Sequence, residues 1–171
     1  VTITMPTDQN EARQLYLNSF ENQGIFAIRY PRDDISSNTI AKKVSLPYGR
    51  FKIENNSENK KVAVVGIGPN SRLLFEKLTK EKVDVTYINA IYLYPLNLDD
   101  VKNLSKYENI IIYDSYGTKE GFVDSLKSLL IDCSFKGRVV SKCLPSEFIK
   151  QGCVEQQLKT YKLDIDSICQ E

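Results

Sequence analysis

Arg29 and Arg32 carry the sharpest chemical signal in this chain. They flank Tyr30-Pro31 just after a short apolar segment, Ile25-Phe26-Ala27-Ile28, that reads as a strand. A parallel α/β sheet places its ligand sites outside the carboxyl ends of its strands. A guanidinium there can fork onto a phosphate with two parallel hydrogen bonds. The plain alternative is a solvated arginine beside a turn. A second signal is Gly66-Ile67-Gly68, which follows an apolar run and opens a helical pattern, as a dinucleotide-binding turn would. Ser71 stands where the third glycine belongs, and Pro69 sits where the backbone would have to approach a pyrophosphate. Asp84 supplies an acidic residue downstream, but a tight strand-to-helix turn accounts for the same glycines.

The remaining reactive residue types offer less. The chain has no His, which removes Ser-His and Cys-His nucleophile pairs and argues against a self-contained hydrolase. Cys133, Cys143, Cys153 and Cys169 form no C-x-x-C pair and no zinc-like spacing, so they read as reduced thiols of a cytoplasmic protein. Asp99 and Asp100 fall in the first turn of a helix, where negative charge meets the positive end of the dipole. Asp132, Asp164 and Asp166 suggest no shared site, and no metal is expected on these residues. Tyr87, Tyr92, Tyr94, Tyr107, Tyr113 and Tyr116 lie on or beside apolar runs and read as core edge or interface. A net charge of +1 argues against a nucleic-acid-binding face. No apolar run is long enough to span a membrane, and the first residues lack the regions of a secretory signal.

The elements that must position these residues fall into three zones: residues 1–36, 37–60 and 61–171. In the first, Val1-Thr2-Ile3-Thr4-Met5 reads as a strand, Thr7 or Asp8 caps a helix, Gly24 ends it, and Ile25 opens a second strand. This strand-helix-strand piece is too small to fold alone and reads as the end of a larger domain. The middle zone is a polar linker, with Ser36-Ser37-Asn38 as a turn cluster and a short strand around Phe51-Lys52-Ile53. The last zone alternates strands and helices. Strands are expected at residues 62–65, 83–88, 109–113 and 138–141, with helices at 70–80, 97–104, 119–130 and 154–161. Such alternation implies an α/β fold, with a mostly parallel sheet and helices on both faces.

The order of these elements comes with recognisable sequence. Pro6-Thr7-Asp8-Gln9-Asn10-Glu11 and Ala27-Ile28-Arg29-Tyr30-Pro31-Arg32 resemble the end of the pyrimidine-binding domain in the 1-deoxy-D-xylulose-5-phosphate synthase family. Leu46-Pro47-Tyr48-Gly49-Arg50 looks like that family's linker, and Tyr94-Pro95-Leu96-Asn97 is similar to its Lys-Pro-Leu-Asp turn. Leu144-Pro145-Ser146-Glu147-Phe148-Ile149-Lys150-Gln151-Gly152 resembles its Leu-Pro-Asp-x-Phe-Ile-x-Gln-Gly segment. The wider group includes transketolases and the beta subunits of 2-oxoacid dehydrogenases.

The resemblance implies that residues 1–36 are a remnant of the pyrimidine-binding domain and 61–171 a transketolase C-terminal domain. It implies a parent transferase that uses thiamin diphosphate and Mg, joins pyruvate to glyceraldehyde 3-phosphate, and works as a homodimer. The diphosphate motif, Gly-Asp-Gly, and the cofactor-activating Glu are not among these residues. The chain alone is therefore expected to be inactive, to bind no cofactor and to serve assembly with the remainder of its enzyme. Arg32 matches the arginine that contacts the acceptor's phosphate. Two departures stand out: Asp33 where the family has Gly, and Asp114-Ser115-Tyr116 in place of a Glu-Glu-Asn segment, with only Gly117 and Gly121 left of a glycine-rich run. They keep open the C-terminal domain of another transketolase-family enzyme, or a catalytically degenerate interaction module.

Overall fold

The computed structural model describes residues 1–31 and 44–170. Through the first half the chain runs β1 (Thr2–Thr4), α1 (Gln9–Glu21), β2 (Phe26–Ile28), β3 (Lys52–Asn55), β4 (Val62–Gly66), α2 (Gly68–Lys80) and β5 (Thr86–Asn89). It continues through β6 (Tyr92–Tyr94), α3 (Leu98–Leu104), β7 (Asn109–Thr118), α4 (Asp124–Asp132), β8 (Arg138–Leu144), α5 (Val154–Thr160) and α6 (Ile165–Ile168).

Five strands form one sheet in the order β3-β5-β4-β7-β8. The pairs β4–β5, β4–β7 and β7–β8 are parallel, so the four strands expected of the last zone do share a sheet. β3 is added antiparallel at one edge. Its Lys52 and Glu54 give that edge the charge that discourages pairing with other chains. The apolar run of β4 feeds both faces by alternation. Ala63 and Val65 pack with Val101 and Leu104 of α3 and with Leu126 and Leu130 of α4. Val64 packs with Leu74 and Leu78 of α2 and with Leu163 and Ile168 near the C-terminus.

Several boundaries differ from the sequence-based expectation: β7 runs on to Thr118 and β8 to Leu144, and three others have a clear local cause. β5 starts at Thr86 because residues 82 and 83 close α2: Lys82 takes φ 55, and the Lys82 and Val83 amides donate to the Thr79 and Leu78 carbonyls. Ser134 closes α4, and Lys162 closes α5, in the same way. The helix expected at 119–130 begins only at Asp124. Residues Lys119–Val123 form an irregular turn in which Glu120 (ψ 72) and Gly121 (φ 179) leave helical geometry, while Phe122 and Val123 enter the core. α1 stops at Glu21 with Asn22 as its cap, so Gly24 (φ +106) belongs to the loop into β2.

A second, three-stranded sheet has the order β2-β1-β6. β1 is parallel to β2 and antiparallel to β6, a strand not foreseen from the sequence. The N-terminal strand-helix-strand piece therefore shares a sheet with the larger unit. Asp8 caps α1 by accepting the Glu11 amide at 2.9 Å. Leu15 of α1 packs with Leu46, Ile91 and Tyr92, while Ile3 and Met5 join the main core.

Two tyrosines at the heart of the larger sheet predict an alkaline limit to stability. Tyr87 and Tyr113 donate to the Ser71 carbonyl (2.6 Å) and the Leu163 carbonyl (2.7 Å). Burial pushes Tyr113 up to about 12, and pushes Tyr87 up as well. A raised folded pKa means stability complete below the unfolded value of about 10 and lost as pH rises toward the folded value. Tyr113 alone should cost about 2–3 kcal/mol by pH 12. Urea melts at pH 8 and pH 11.5, with Tyr113→Phe as control, check this. Equal stability at the two pH values would contradict it.

Candidate functional site

The chain passes from β4 to β5 on one side and then to β7 on the other, so the sheet order reverses at β4. In open α/β sheets the crevice at the carboxyl ends of such strands is the usual ligand position. Here it is formed by Gly66-Ile67-Gly68 after β4, Asp114-Ser115-Tyr116 in β7, and residues after β1 and β2.

These groups are bonded mainly to one another. Arg29 Nη2 donates to the Tyr116 carbonyl at 3.0 Å. Asn70 Nδ2 donates to Ser115 Oγ at 2.9 Å. Asp114 is buried, and its Oδ1 accepts the Tyr116 amide at 3.0 Å. Burial pushes the Asp114 carboxyl above its ordinary range, against the pull of the Tyr116 amide and the Arg29 charge. Gly117 is close by necessity, since a Cβ there would lie 2.4 Å from Asp114 Oδ2.

The glycines of Gly66-Ile67-Gly68 are required by packing. Gly68 has φ +71, and a Cβ on it would meet Met5 Cε at 2.7 Å and the Tyr116 ring at 2.9 Å. A Cβ on Gly66 would meet Tyr87 Oη at 2.3 Å. Ser71, in place of a third glycine, turns its Oγ back to donate to the Gly68 carbonyl at 2.7 Å. Met5 and Tyr116 thus cover the start of α2, where a pyrophosphate would need bare amides. The tight-turn explanation is the one the geometry supports.

A buried polar cluster ties the N-terminal piece to the sheet. Glu11 Oε2 accepts the Thr7 amide (2.9 Å) and the Thr7 hydroxyl (2.7 Å). Asn89 Nδ2, at the end of β5, donates to Glu11 Oε1 at 3.0 Å. Lys52 Nζ lies 3.5 Å from Glu11 Oε1 and 2.6 Å from Glu54 Oε1. Burial works to lower the Lys52 ammonium, but the two carboxylates outweigh it and hold its pKa above the ordinary value. Asp100 plays a similar part in the linker: it accepts Arg50 Nη2 at 2.7 Å, Arg50 Nε at 2.9 Å and the Phe51 amide at 2.8 Å. Its place in the first turn of α3 was legible, but its long-range partner was not. Glu11 was legible as the last residue of the Pro6–Glu11 segment, but its buried partners were not.

A groove of about 300 Å³ lies at the carboxyl end of β8, lined by Lys119, Cys143, Leu144, Pro145, Ser146 and Tyr161 among others. Burial pushes the Cys143 thiol up, away from the thiolate needed for nucleophilic chemistry. Among the described residues no group of His, Cys, Asp or Glu is placed to hold a metal ion. No described helix is long and apolar enough to cross a membrane. Arg32 and Asp33 lie outside the described residues, so the phosphate-binding expectation is not placed by the structure. Arg29 is placed, and it serves Tyr116.

By fold this is a transketolase-like α/β protein. The chain superposes on a split-gene transketolase, solved as an inactive beta4 tetramer, with a TM-score of 0.78 over 98% of this chain and 54% of that one, at 15% identity. Among curated proteins it is similar to the 1-deoxy-D-xylulose-5-phosphate synthase of Listeria monocytogenes serotype 4b, 31% identical over 175 residues and 98% of this chain. It is 28% identical over 172 residues to the synthase of Clostridium beijerinckii. The chain spans 28% of the length of each of these two relatives, and it is homologous to their C-terminal portion. No protein-family model matches it. The family resemblance read from its motifs is thus borne out across nearly its whole length.

Proposed function

We propose that these residues are the C-terminal part of a thiamin-diphosphate-dependent 1-deoxy-D-xylulose-5-phosphate synthase. That transferase joins pyruvate to glyceraldehyde 3-phosphate, giving 1-deoxyxylulose 5-phosphate and carbon dioxide on the route to isoprenoid precursors. The observation that carries this reading is similarity to such synthases over 98% of the chain. Residues 1–36 then complete the pyrimidine-binding domain, 37–60 link, and 61–171 form the C-terminal domain of a cytoplasmic homodimer. The described residues offer no fit for the cofactor: the start of α2 is covered by Met5 and Tyr116, and no ligand set for Mg is present among them. The chain alone is inactive.

Arg32 is the one residue assigned to substrate, holding the phosphate of the acceptor. Hydrogen bonds to charged groups are worth roughly 1.5–3 kcal/mol each. Arg32→Ala in the full-length enzyme should lower kcat/KM for the phosphorylated acceptor by about ten- to a few hundred-fold, with pyruvate little affected. Arg32→Lys should restore only part, because a point charge cannot make the planar fork. Asp33→Gly should improve acceptor binding by freeing the guanidinium. Unchanged acceptor kinetics in Arg32→Ala would return Arg32 to solvent. Calorimetry should show no thiamin diphosphate binding by the isolated chain, and micromolar binding would overturn the assembly role.

One observation favours a degenerate interaction module instead. Tyr116, at a position where the family pattern differs, lies with its ring against Gly68, and its carbonyl accepts from Arg29. Synthase activity of the full-length protein decides between the two.

A further inference from the structure

The groove at the carboxyl end of β8 lies apart from the contacts that join the N-terminal piece to the sheet. Its volume of about 300 Å³ is that of a small-molecule site, in which apolar walls and a few convergent polar groups fix a ligand. Leu144 and Pro145 supply apolar wall.

The polar groups of the groove are mostly donors. Lys119 makes no hydrogen bond or ion pair among the described residues, and the Tyr161 hydroxyl has no partner among them. Ser141 Oγ accepts Lys127 Nζ at 2.8 Å, which leaves the Ser141 hydrogen to be donated. Burial pushes the Cys143 thiol up and Asp114 adds to this, while Lys127 and Lys119 pull it down. Both ammoniums therefore act inside the groove.

One anion stands beside it. Glu120 accepts the Ser146 hydroxyl, and that bond holds its carboxyl below the usual range, so it is ionised. A carboxylate offers about four lone-pair sites, so Glu120 keeps room for a hydroxyl donated by a ligand.

We propose that this groove binds a phosphomonoester of a short hydroxylated carbon chain. The phosphate oxygens accept from Lys119 Nζ and from the Ser141 and Tyr161 hydroxyls. The carbon chain lies against Leu144 and Pro145, and its hydroxyls donate to Glu120. The three donors come from separate elements: the turn after β7, β8 itself, and the end of α5. Three such donors match the three terminal oxygens of a phosphate better than the two of a carboxylate, and an ammonium suits phosphate as a point charge. The groove is built from residues 119–161 alone, so it is present whether or not the full-length protein is a synthase.

Amide chemical-shift titration of the 171-residue chain with sn-glycerol 3-phosphate tests this. Saturable shifts should centre on residues 119, 141–146 and 161, with a Kd of about 1 mM or below. Lys119→Gln should weaken binding at least about tenfold, and Tyr161→Phe about threefold. Lys102→Gln, on α3, should change nothing. n-Propyl phosphate, which lacks the hydroxyls, should bind about threefold more weakly, and glycerol without phosphate should not bind. No saturable shift up to about 20 mM would overturn the proposal. So would an unchanged Kd in Lys119→Gln, or acetate binding as tightly as glycerol 3-phosphate. Shifts centred on residues 26–31 would also overturn it, because the phosphate would then belong with the acceptor site. Synthase activity of the full-length protein, measured separately, bears on the catalytic reading and not on the groove.

Discussion

Glu11→Ala should destabilise the chain by about 3 kcal/mol, although Glu11 lies in a helix only 13 residues long. Its carboxylate is 1% exposed and is the shared acceptor for the Thr7 amide, the Thr7 hydroxyl and Asn89 Nδ2. Alanine leaves those donors buried and unmet, at roughly 1–3 kcal/mol for each that water cannot reach. The Lys52 contribution is smaller, since its side chain is 29% exposed and its distance to Glu11 is 3.5 Å. Glu11→Gln keeps one acceptor and should lose about half as much. Urea unfolding at constant m-value gives the number directly. A loss under about 1 kcal/mol would mean that the cluster is wetter than its burial implies.

Gly66→Ala is the second large effect, expected at about 3 kcal/mol or more. The added methyl would sit 2.3 Å from Tyr87 Oη and 2.6 Å from Ser71 Cβ. Tyr87 cannot easily withdraw: its hydroxyl donates to the Ser71 carbonyl at 2.6 Å, and its ring stacks on Phe75 at 4.7 Å. Either the ring moves and the bond breaks, or β4 shifts against β5. Gly152→Ala is the control, because its new methyl would meet nothing closer than 3.7 Å. Differential scanning calorimetry of both variants separates packing from ligand chemistry. If Gly66→Ala kept its melting temperature, the packing account of Gly66-Ile67-Gly68 would fail.

These residues also show how far the sequence could be read. Continuous apolar runs such as Val62-Ala63-Val64-Val65 and Ile110-Ile111-Ile112 located the central strands, because a strand buried on both faces leaves few other options. Helix ends were harder. The end of α2 at Lys80 was legible, but Lys82, like Ser134 and Lys162, adopts the left-handed conformation that sequence reading expects of glycine, and the turn it makes delays the start of β5. Tyr92-Leu93-Tyr94 was too short to announce a strand, and its partner is some ninety residues earlier in the chain. Long-range polar pairs leave no local trace: Asp100 looked like a helix-dipole residue, and Arg50 lies fifty residues before it. Arg29 was picked out correctly as a strand-end arginine, but only the fold reveals that Tyr116 takes its bond.

The ladder between β1 and β6 has a consequence for cutting the molecule. The N-terminal segment is held by the β1–β6 pairing, by Met5 against Gly68 and by Glu11 against Asn89, none of which depends on the covalent path between residues 31 and 44. A protease nick in that stretch should therefore yield two pieces that travel as one particle and part only in denaturant. Two plasmids encoding the pieces separately should reconstitute the fold by fragment complementation.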